Sequence, residues 1–243
     1  MLLEICVDDP LGLAEAVAGG ADRIELCAAL ALGGLTPSPG LMALAAGCSL
    51  PAYPMIRPRP GNFTFTAAEV AVMRHDVRAA RAAGLTGVVL GANLPDGRLD
   101  AAVLAELVTE AAGLDLTLHR AIDLCPDPEE AIETAITLGF RRILTSGGVL
   151  TAPQGLPRLQ WMISAARGRL AIMPGSGITA ETWPRLAGLG VNEVHASCAM
   201  TIPGQPDRFG FVTGNEKRTD SARVRALKAV LGADAPPQPR QFD

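Results

Sequence analysis

Carboxyl, thiol and imidazole groups follow short apolar runs of the sequence at regular spacing. Glu4-Ile-Cys6 and Glu25-Leu-Cys27 each hold a carboxyl and a thiol two residues apart, and His119 ends another apolar run. Histidine titrates near neutral pH, and carboxyl groups transfer protons where their surroundings shift the pKa. If the chain is an enzyme, we predict that His119, Glu4 and Glu25 are its catalytic residues. The alternative for His119 is a hydrogen-bonded structural residue, which we favour for His195, while His75 is expected at the surface.

Three arginines indicate a second kind of chemistry, the binding of an anion. Arg57 and Arg59 are spaced by two, so in an extended segment their side chains face the same side. Together with Arg120 they form a predicted clamp, because guanidinium groups bind carboxylate and phosphate in bidentate fashion. The alternative is a set of ion pairs to nearby carboxylates such as Asp123, with no ligand. The two interpretations are compatible.

Two glycine-rich turns add candidate anion-binding positions. Ser146-Gly-Gly148 and Gly175-Ser-Gly177 each follow an apolar run and would present backbone N–H groups beside helix starts. Such groups attract anions, and phosphate-binding barrels use the loops after strands seven and eight in this way. We therefore predict anion contacts at Ser146, Gly175, Ser176 and Gly177. Tight turns also need glycine for steric reasons, which is the alternative interpretation.

The cysteines of the two Glu-x-Cys runs form a candidate metal site. If Glu4 and Glu25 point into one cavity, the two-residue period of a strand places Cys6 and Cys27 on the same side, on strands about 4.8 Å apart. Two thiolates at that separation would bind a soft ion such as Cu(I). The spacing alone favours ordinary buried cysteines. The five cysteines are odd in number and widely spaced, which indicates a reducing cytoplasm and no disulfide framework.

The elements that position these residues repeat along the chain. Eight short apolar runs alternate with amphipathic stretches; they are Leu2–Cys6, Arg23–Leu26, Tyr53–Ile56, Gly87–Leu90, Leu116–Leu118, Arg142–Leu144, Leu170–Met173 and Glu193–His195. Eight βα units in about 250 residues predict an α/β fold, a single-domain (β/α)8 TIM barrel. We place this domain at residues 1–232 and a Pro-rich tail at 233–243. An open doubly wound sheet is the alternative.

Several helix starts are marked by capping residues. Asp9, Ser38 and Asp127 each precede a proline at the first position of a predicted helix. Thr66 and Asp127 also have a glutamate three residues later, which predicts capping boxes. Between residues 67 and 83, apolar side chains recur at three- and four-residue spacing and predict one buried helical face.

Composition narrows the classes of function. With 49% apolar and 19% charged residues, the chain is not intrinsically disordered. The formal net charge of −4 argues against a nucleic-acid partner. No run approaches the roughly 18 apolar residues that span a bilayer, and the first residues do not resemble a secretory signal. We predict a cytoplasmic protein with no membrane partner and no organic cofactor.

Longer motifs resemble those of the CutC family, usually called the copper homeostasis protein family. They are Ala21-Asp-Arg-Ile-Glu-Leu-Cys27, Gly33-Gly-Leu-Thr-Pro-Ser38, Met55-Ile-Arg-Pro-Arg59, His119-Arg-Ala-Ile-Asp123, Arg142-Ile-Leu-Thr-Ser-Gly147 and Ile172-Met-Pro-Gly175. The resemblance extends over residues 2–198. It implies a TIM barrel, a cytoplasmic location, self-association into a homo-oligomer and the handling of Cu(I). It also places Cys6 and Cys27 at the family's proposed copper-binding cysteines.

The sequence departs from the family pattern at three places. Asn62 stands where the family usually has Asp, Ser176 stands for a usual Gly, and residues 199–214 match poorly. The leading hypothesis is a CutC-family copper homeostasis protein that binds Cu(I). The alternative is a TIM-barrel enzyme, of isomerase, epimerase or lyase type, acting on a small anionic or phosphorylated metabolite. A scaffold comes third, since a scaffold needs no polar barrel mouth.

Overall fold

The computed structural model describes residues 1–209 and 214–233. The strands are β1 Leu2–Val7, β2 Arg23–Leu26, β3 Ala52–Pro54, β4 Gly87–Leu90, β5 Asp115–Leu118, β6 Arg142–Thr145, β7 Ala171–Pro174, β8 Glu193–Ala196, β9 Ala199–Thr201 and β10 Lys217–Thr219. The helices are α1 Pro10–Gly19, α2 Pro39–Ala46, α3 Ala67–Ala82, α4 Ala101–Glu110, α5 Pro128–Thr137, α6 Leu156–Ala166 and α7 Ser221–Ala233. All eight predicted strands are present, with ends that differ from the predicted ones by at most two residues.

The first eight strands stand in ring order. They form two four-stranded parallel sheets, ordered β3-β2-β1-β8 and β4-β5-β6-β7. A parallel bridge between Met55 and Val89 joins the two sheets on one side. On the other side β7 lies beside β8, where a Cβ built on Gly175 would be 3.4 Å from the Cβ of His195. This is the predicted TIM barrel, and the doubly wound alternative is wrong.

Capping residues start the helices largely as predicted. The side chains of Asp9, Ser38 and Asp127 accept hydrogen bonds from backbone N–H groups in the first turns of α1, α2 and α5. Thr66 and Glu69 form a complete capping box at the start of α3. The predicted buried face of α3 is present; it consists of Val70, Met73, Val77 and Ala80. These caps fix where each helix turns back toward the barrel.

Charged side chains fill the amino-terminal end of the barrel interior. Arg23 contacts Glu4 and Glu193, each at 2.5 Å. Arg142 contacts Glu193 and Asp115, each at 3.0 Å. These buried ion pairs join the opening residues of β2, β5, β6 and β8 across the barrel. A solvated active site therefore has room only at the opposite, carboxyl-terminal end of the strands.

The chain after β8 departs from simple βα repetition. Strands β9 and β10 form an antiparallel hairpin, and α7 follows it and packs against α1. Between β7 and β8, residues 175–192 contain two short 3-10 helices and no α-helix. Of the segments singled out in the sequence, residues 210–213 and the tail beyond residue 233 lie outside the described residues. Within the described ranges, no helix has the length and apolar character needed to cross a membrane.

Candidate active site

A cavity of about 620 Å³ lies at the carboxyl ends of the barrel strands. Side chains and turns following most of the strands line it, and α7 closes one side with Arg223. The predicted site residues in its wall are Cys6, Glu25, Arg57, His119, Arg120, Ser176 and Gly177. Glu4, Cys27, Arg59, Ser146 and Gly175 are not part of the wall. The predicted site residues therefore gather around one cavity, but the sequence did not separate the lining residues from those behind them.

Arg57 is a buried cation at one side of the cavity. Its guanidinium donates to three backbone carbonyls, those of Leu32 and Gly34 at 3.1 Å and that of Gly61 at 2.7 Å. Phe63 lies under the guanidinium, 5.0 Å from it. Arg57 pairs with no carboxylate of the described chain, and its Nε has no hydrogen-bond partner there. Burial, reinforced by the neighbouring charge of Arg59, lowers the pKa of Arg57.

Arg59 does not share that side of the chain, which corrects the two-residue spacing argument. Its guanidinium turns outward, where it contacts Glu69 at 2.5 Å and donates to the carbonyl of Thr64. The physical reason is that β3 ends at Pro54, so the following prolines lead the chain into a loop rather than an extended strand. The third predicted arginine, Arg120, lines the cavity and contacts Asp123 at 2.7 Å. The predicted three-arginine clamp is thus reduced to Arg57 and Arg120.

His119 is buried beside Arg57 and remains neutral. Its Nδ1 accepts a hydrogen bond from the backbone N–H of Ala121 at 3.1 Å, so its proton resides on Nε2. Nε2 is buried and has no partner in the described chain. Burial, together with the charge of Arg57, lowers the pKa of His119 to about 3. His119 is therefore a hydrogen-bond donor at the cavity wall rather than an acid that titrates near neutral pH.

We expect no titration of His119 between pH 5 and pH 8. The unfolded chain takes up a proton near pH 6.5 and the folded chain only near pH 3. The stability that the neutral imidazole contributes is therefore fully present above about pH 6.5 and is lost as the pH falls toward 3. The pH dependence of the His119 imidazole NMR signals, assigned with His119→Gln, measures this. A midpoint above pH 6 would contradict the neutral assignment.

The two glycine-rich turns differ in what their N–H groups contact. After β6, the N–H groups of Ser146 and Gly148 donate to Asp123, so this turn is satisfied internally. After β7, Ser176 and Gly177 both have a φ of 72°, and the N–H groups of Gly177 and Ile178 have no acceptor within the described residues. Only the second turn lines the cavity. It is therefore the turn that can bind an anion.

Gly175 lies behind that turn, and Ser176, which lines the cavity, anchors it through its hydroxyl. A Cβ on Gly175 would lie 2.4 Å from Cδ1 of Leu144, so a larger residue there would require the Leu144 side chain to shift. The hydroxyl of Ser176 donates to the carbonyl of Leu150 at 2.7 Å. Serine at this position therefore fixes the turn while leaving its backbone N–H available.

Cys6, Glu25 and His195, on the adjacent strands β1, β2 and β8, form a second cluster in the cavity wall. His195 Nδ1 lies 2.8 Å from Oε1 of Glu4, and its Nε2 lies 3.8 Å from Oε2 of Glu25. Burial opposes charge on His195, but the Glu25 carboxylate, Cys6 and Glu4 raise its pKa well above the usual value. Burial would raise the pKa of Glu4, yet the contacts with His195 and Arg23 lower it to about 2. Glu4 therefore remains ionised and orients His195.

Glu25 and Cys27 are held in a less polar setting. Burial raises the pKa of Glu25, so its carboxyl is a stronger base than a solvated one. Cys27 is fully buried behind the cavity and donates to Glu25 at 3.6 Å. Burial and the Glu25 charge raise the pKa of the Cys27 thiol well above its usual range. The two cysteines lie on the interior side as expected, but only Cys6 reaches the cavity.

Several lining residues were not identified from the sequence. Phe63 stacks on both Arg57 and His119, with its ring 4.6 Å from the imidazole. The segment Thr179–Glu181 and Arg223 also line the cavity. Phe63 and Thr179–Glu181 lie in loops after strands, so their position in the repeat was an available signal. Arg223 comes from a helix that lies after the repeat ends, and no local pattern marks it.

Comparison with known proteins gives one consistent family. Residues 1–200 match the family model described as the CutC family. A CutC family protein of Sinorhizobium medicae is 57% identical over 96% of this chain and 97% of its own length. One from Agrobacterium fabrum is 52% identical over 96% and 95%. The solved CutC structure from Streptococcus agalactiae, named for copper homeostasis, has 30% identity and a TM-score of 0.77 over 81% of this chain and 98% of its own.

Proposed function

The chain belongs to the CutC family, and we propose that its barrel mouth binds a small anionic metabolite and acts on it as an enzyme. The observation that carries this proposal is Arg57, a buried guanidinium that faces the cavity without a carboxylate partner in the described chain. A buried charge is costly unless a counter-charge compensates it. An anionic ligand would supply that charge.

Three further donors around the cavity support an anion rather than a neutral ligand. His119 Nε2–H is buried and has no partner within the described chain, and the N–H groups of exposed Gly177 and buried Ile178 have no acceptor there either. The unsatisfied buried donor of His119 costs roughly 1 to 3 kcal/mol, which a bound oxyanion would recover. The donors come from β3, β5 and β7, so a ligand that reaches all of them lies across the barrel mouth.

The same arrangement favours proton-transfer chemistry next to a carbonyl. Glu25, whose pKa burial raises, is the proposed general base. His119, as a neutral N–H donor, would stabilise the negative charge that develops on a substrate oxygen. Glu4 acts as a positioning residue through His195 rather than as a proton carrier. Isomerisation, epimerisation and lyase reactions all use such a step.

Arg57→Gln is expected to weaken anion binding by about 10- to 100-fold, the worth of a charge-assisted hydrogen bond. Ligands for the test are inorganic phosphate, sugar phosphates and small dicarboxylates, measured by thermal shift and then calorimetry. The matched control is Arg59→Gln, since Arg59 lies two residues away and points out of the cavity toward Glu69. Equal affinities in the two variants would refute the role of Arg57.

The second candidate function is Cu(I) binding by Cys6 and Cys27; the Streptococcus agalactiae relative is named for copper homeostasis. In its favour, Cys6 lies at the cavity wall and Cys27 is on the neighbouring strand. Against it, the Cys27 thiol is fully buried, and burial with the Glu25 charge raises its pKa. This candidate requires that Cys27→Ser abolish tight Cu(I) binding as completely as Cys6→Ser does.

A further inference from the structure

Three different donor atoms converge on one wall of the cavity. They are the sulfur of Cys6, a carboxylate oxygen of Glu25 and an imidazole nitrogen of His195, all within 4.8 Å of one another. All three side chains are buried, and all three line the cavity. No other group of three or more such side chains has this geometry in residues 1–209 and 214–233.

We propose that Cys6, Glu25 and His195 form a binding site for a divalent transition metal of the Zn²⁺ type. A second observation supports a ligand at this point: Oε1 of Glu25 is buried and has no hydrogen-bond partner within the described chain. A buried carboxylate oxygen is costly to leave unpaired. A metal ion would satisfy it.

The contact of His195 with Glu4 is of the kind expected for a metal-binding imidazole. Its Nδ1 is held by Glu4 at 2.8 Å, which leaves Nε2 on the side of Glu25 and Cys6. Metal-binding histidines commonly donate their second N–H to a carboxylate, which fixes the ring and increases its basicity. Arg23 in turn holds Glu4 from below. The imidazole is therefore already oriented for coordination.

The donor set selects among metals. One thiolate, one imidazole and one carboxylate are ligand types of Zn²⁺, whereas Mg²⁺ and Ca²⁺ prefer oxygen alone and Cu(I) prefers sulfur. The thiolate and the carboxylate together balance the charge of a divalent ion in this buried place. Tetrahedral Zn²⁺ would bring the donor atoms to roughly 3.3 to 3.8 Å from one another. Since the present separations are all within 4.8 Å, closure of at most about 1.5 Å achieves this.

Three protein ligands leave a fourth position open toward the cavity, as in catalytic zinc sites. The site does not depend on anion binding by Arg57. It does change the proposed role of Glu25, because a carboxylate that coordinates the metal ion is a ligand and no longer the general base. Metal binding is measured without any substrate, so failure of one proposal leaves the other standing.

The test is titration of the reduced protein with Zn²⁺ alone, in competition with a chromophoric chelator. We expect one Zn²⁺ per chain in the wild type. Cys6→Ser, Glu25→Gln and His195→Gln are each expected to weaken binding by at least about 100-fold, more than the 10- to 100-fold usual for groups that only orient a ligand. Cys27→Ser and Arg57→Gln serve as controls and are expected to retain the wild-type affinity.

Co²⁺ provides a readout that does not depend on every variant folding. The wild-type protein with Co²⁺ is expected to show a thiolate-to-metal charge-transfer absorption, absent in Cys6→Ser and retained in Cys27→Ser. The site is refuted if the wild type binds no stoichiometric Zn²⁺, or if Co²⁺ gives no thiolate absorption. Loss of binding in Cys27→Ser with retention in Glu25→Gln would overturn it in favour of the thiol pair.

Discussion

Replacing Arg23 with methionine is expected to destabilise the protein by about 3 to 5 kcal/mol, the usual cost of breaking a buried ion pair on one side. For a chain of this size that corresponds to a fall in Tm of roughly 6 to 20 °C. The Arg23 side chain is 4% exposed and contacts Glu4 and Glu193, each at 2.5 Å. Methionine fills similar space but leaves both carboxylates without that partner in the barrel interior. Urea unfolding of the two proteins measures the difference.

The control is an arginine in an exposed pair. Arg74 contacts Glu110 at 3.2 Å with nearly half of its side chain in solvent, so Arg74→Met is expected to change stability by only about 0.5 kcal/mol. In the double variant Arg23→Met/Glu4→Gln, one of the two carboxylates that lose Arg23 is replaced by a neutral amide. We expect this double variant to be more stable than Arg23→Met alone. A change below about 1 kcal/mol in Arg23→Met would show that the interior charges do not hold the barrel together.

Asp123→Ala is expected to cost about 3 to 5 kcal/mol and to release the turn after β6. The Asp123 carboxylate accepts from Arg120, the hydroxyl of Thr145, and the N–H groups of Ser146 and Gly148. Its side chain is 8% exposed, so alanine leaves these donors unsatisfied where little water can replace the carboxylate. Hydrogen exchange of the Ser146 and Gly148 amides is expected to accelerate together with the fall in stability.

Asp96 offers the matched comparison for that experiment. It also follows a strand and contacts an arginine, Arg98, at 2.9 Å, but about half of each side chain is exposed. Asp96→Ala is expected to change stability by no more than about 0.5 kcal/mol. If Asp123→Ala behaves the same way, the turn after β6 is held by other contacts.

The barrel was predictable because each βα unit carries its own local signals. Buried strands such as Gly87–Leu90 are short apolar runs, and caps such as Thr66 fix the helix starts independently of the rest of the chain. Two regions could not be predicted from these local signals. The hairpin of β9 and β10 follows the last repeat, and the connection between β7 and β8 has short 3-10 turns in place of an α-helix.

The site was predictable in position but not in detail. Residues at strand ends, such as Cys6 and His119, reach the mouth because the carboxyl ends of the strands meet there. Which neighbour a side chain contacts depends on atoms far away in sequence. Arg23 contacts Glu193, which lies 170 positions later in the sequence. No local sequence pattern predicts that pair. Arg59 was misplaced for a local reason: β3 ends at Pro54, so Arg57 and Arg59 lie in a loop to which the two-residue period of a strand does not apply.

The grouping of Cys6 with Glu25 and His195 depends both on their positions at strand ends and on the pairing of strands that are distant in sequence. The register pairs Cys6 with Glu25 and Glu4 with His195 on adjacent strands. The sequence spacing instead made the two cysteines, Cys6 and Cys27, the candidate metal site. The strand register, which appears only in the folded barrel, brings the imidazole rather than the second thiol to the cavity wall.

The most direct test of the central claim, anion binding at Arg57, is the NMR signal of the His119 Nε2–H group during titration with inorganic phosphate. In the wild type and in Arg59→Gln, the signal is expected to shift saturably, because the buried donor gains an acceptor. In Arg57→Gln the shift is expected to require at least about ten times more phosphate. A wild-type signal that does not move while phosphate stabilises the protein would place the anion elsewhere and contradict the account.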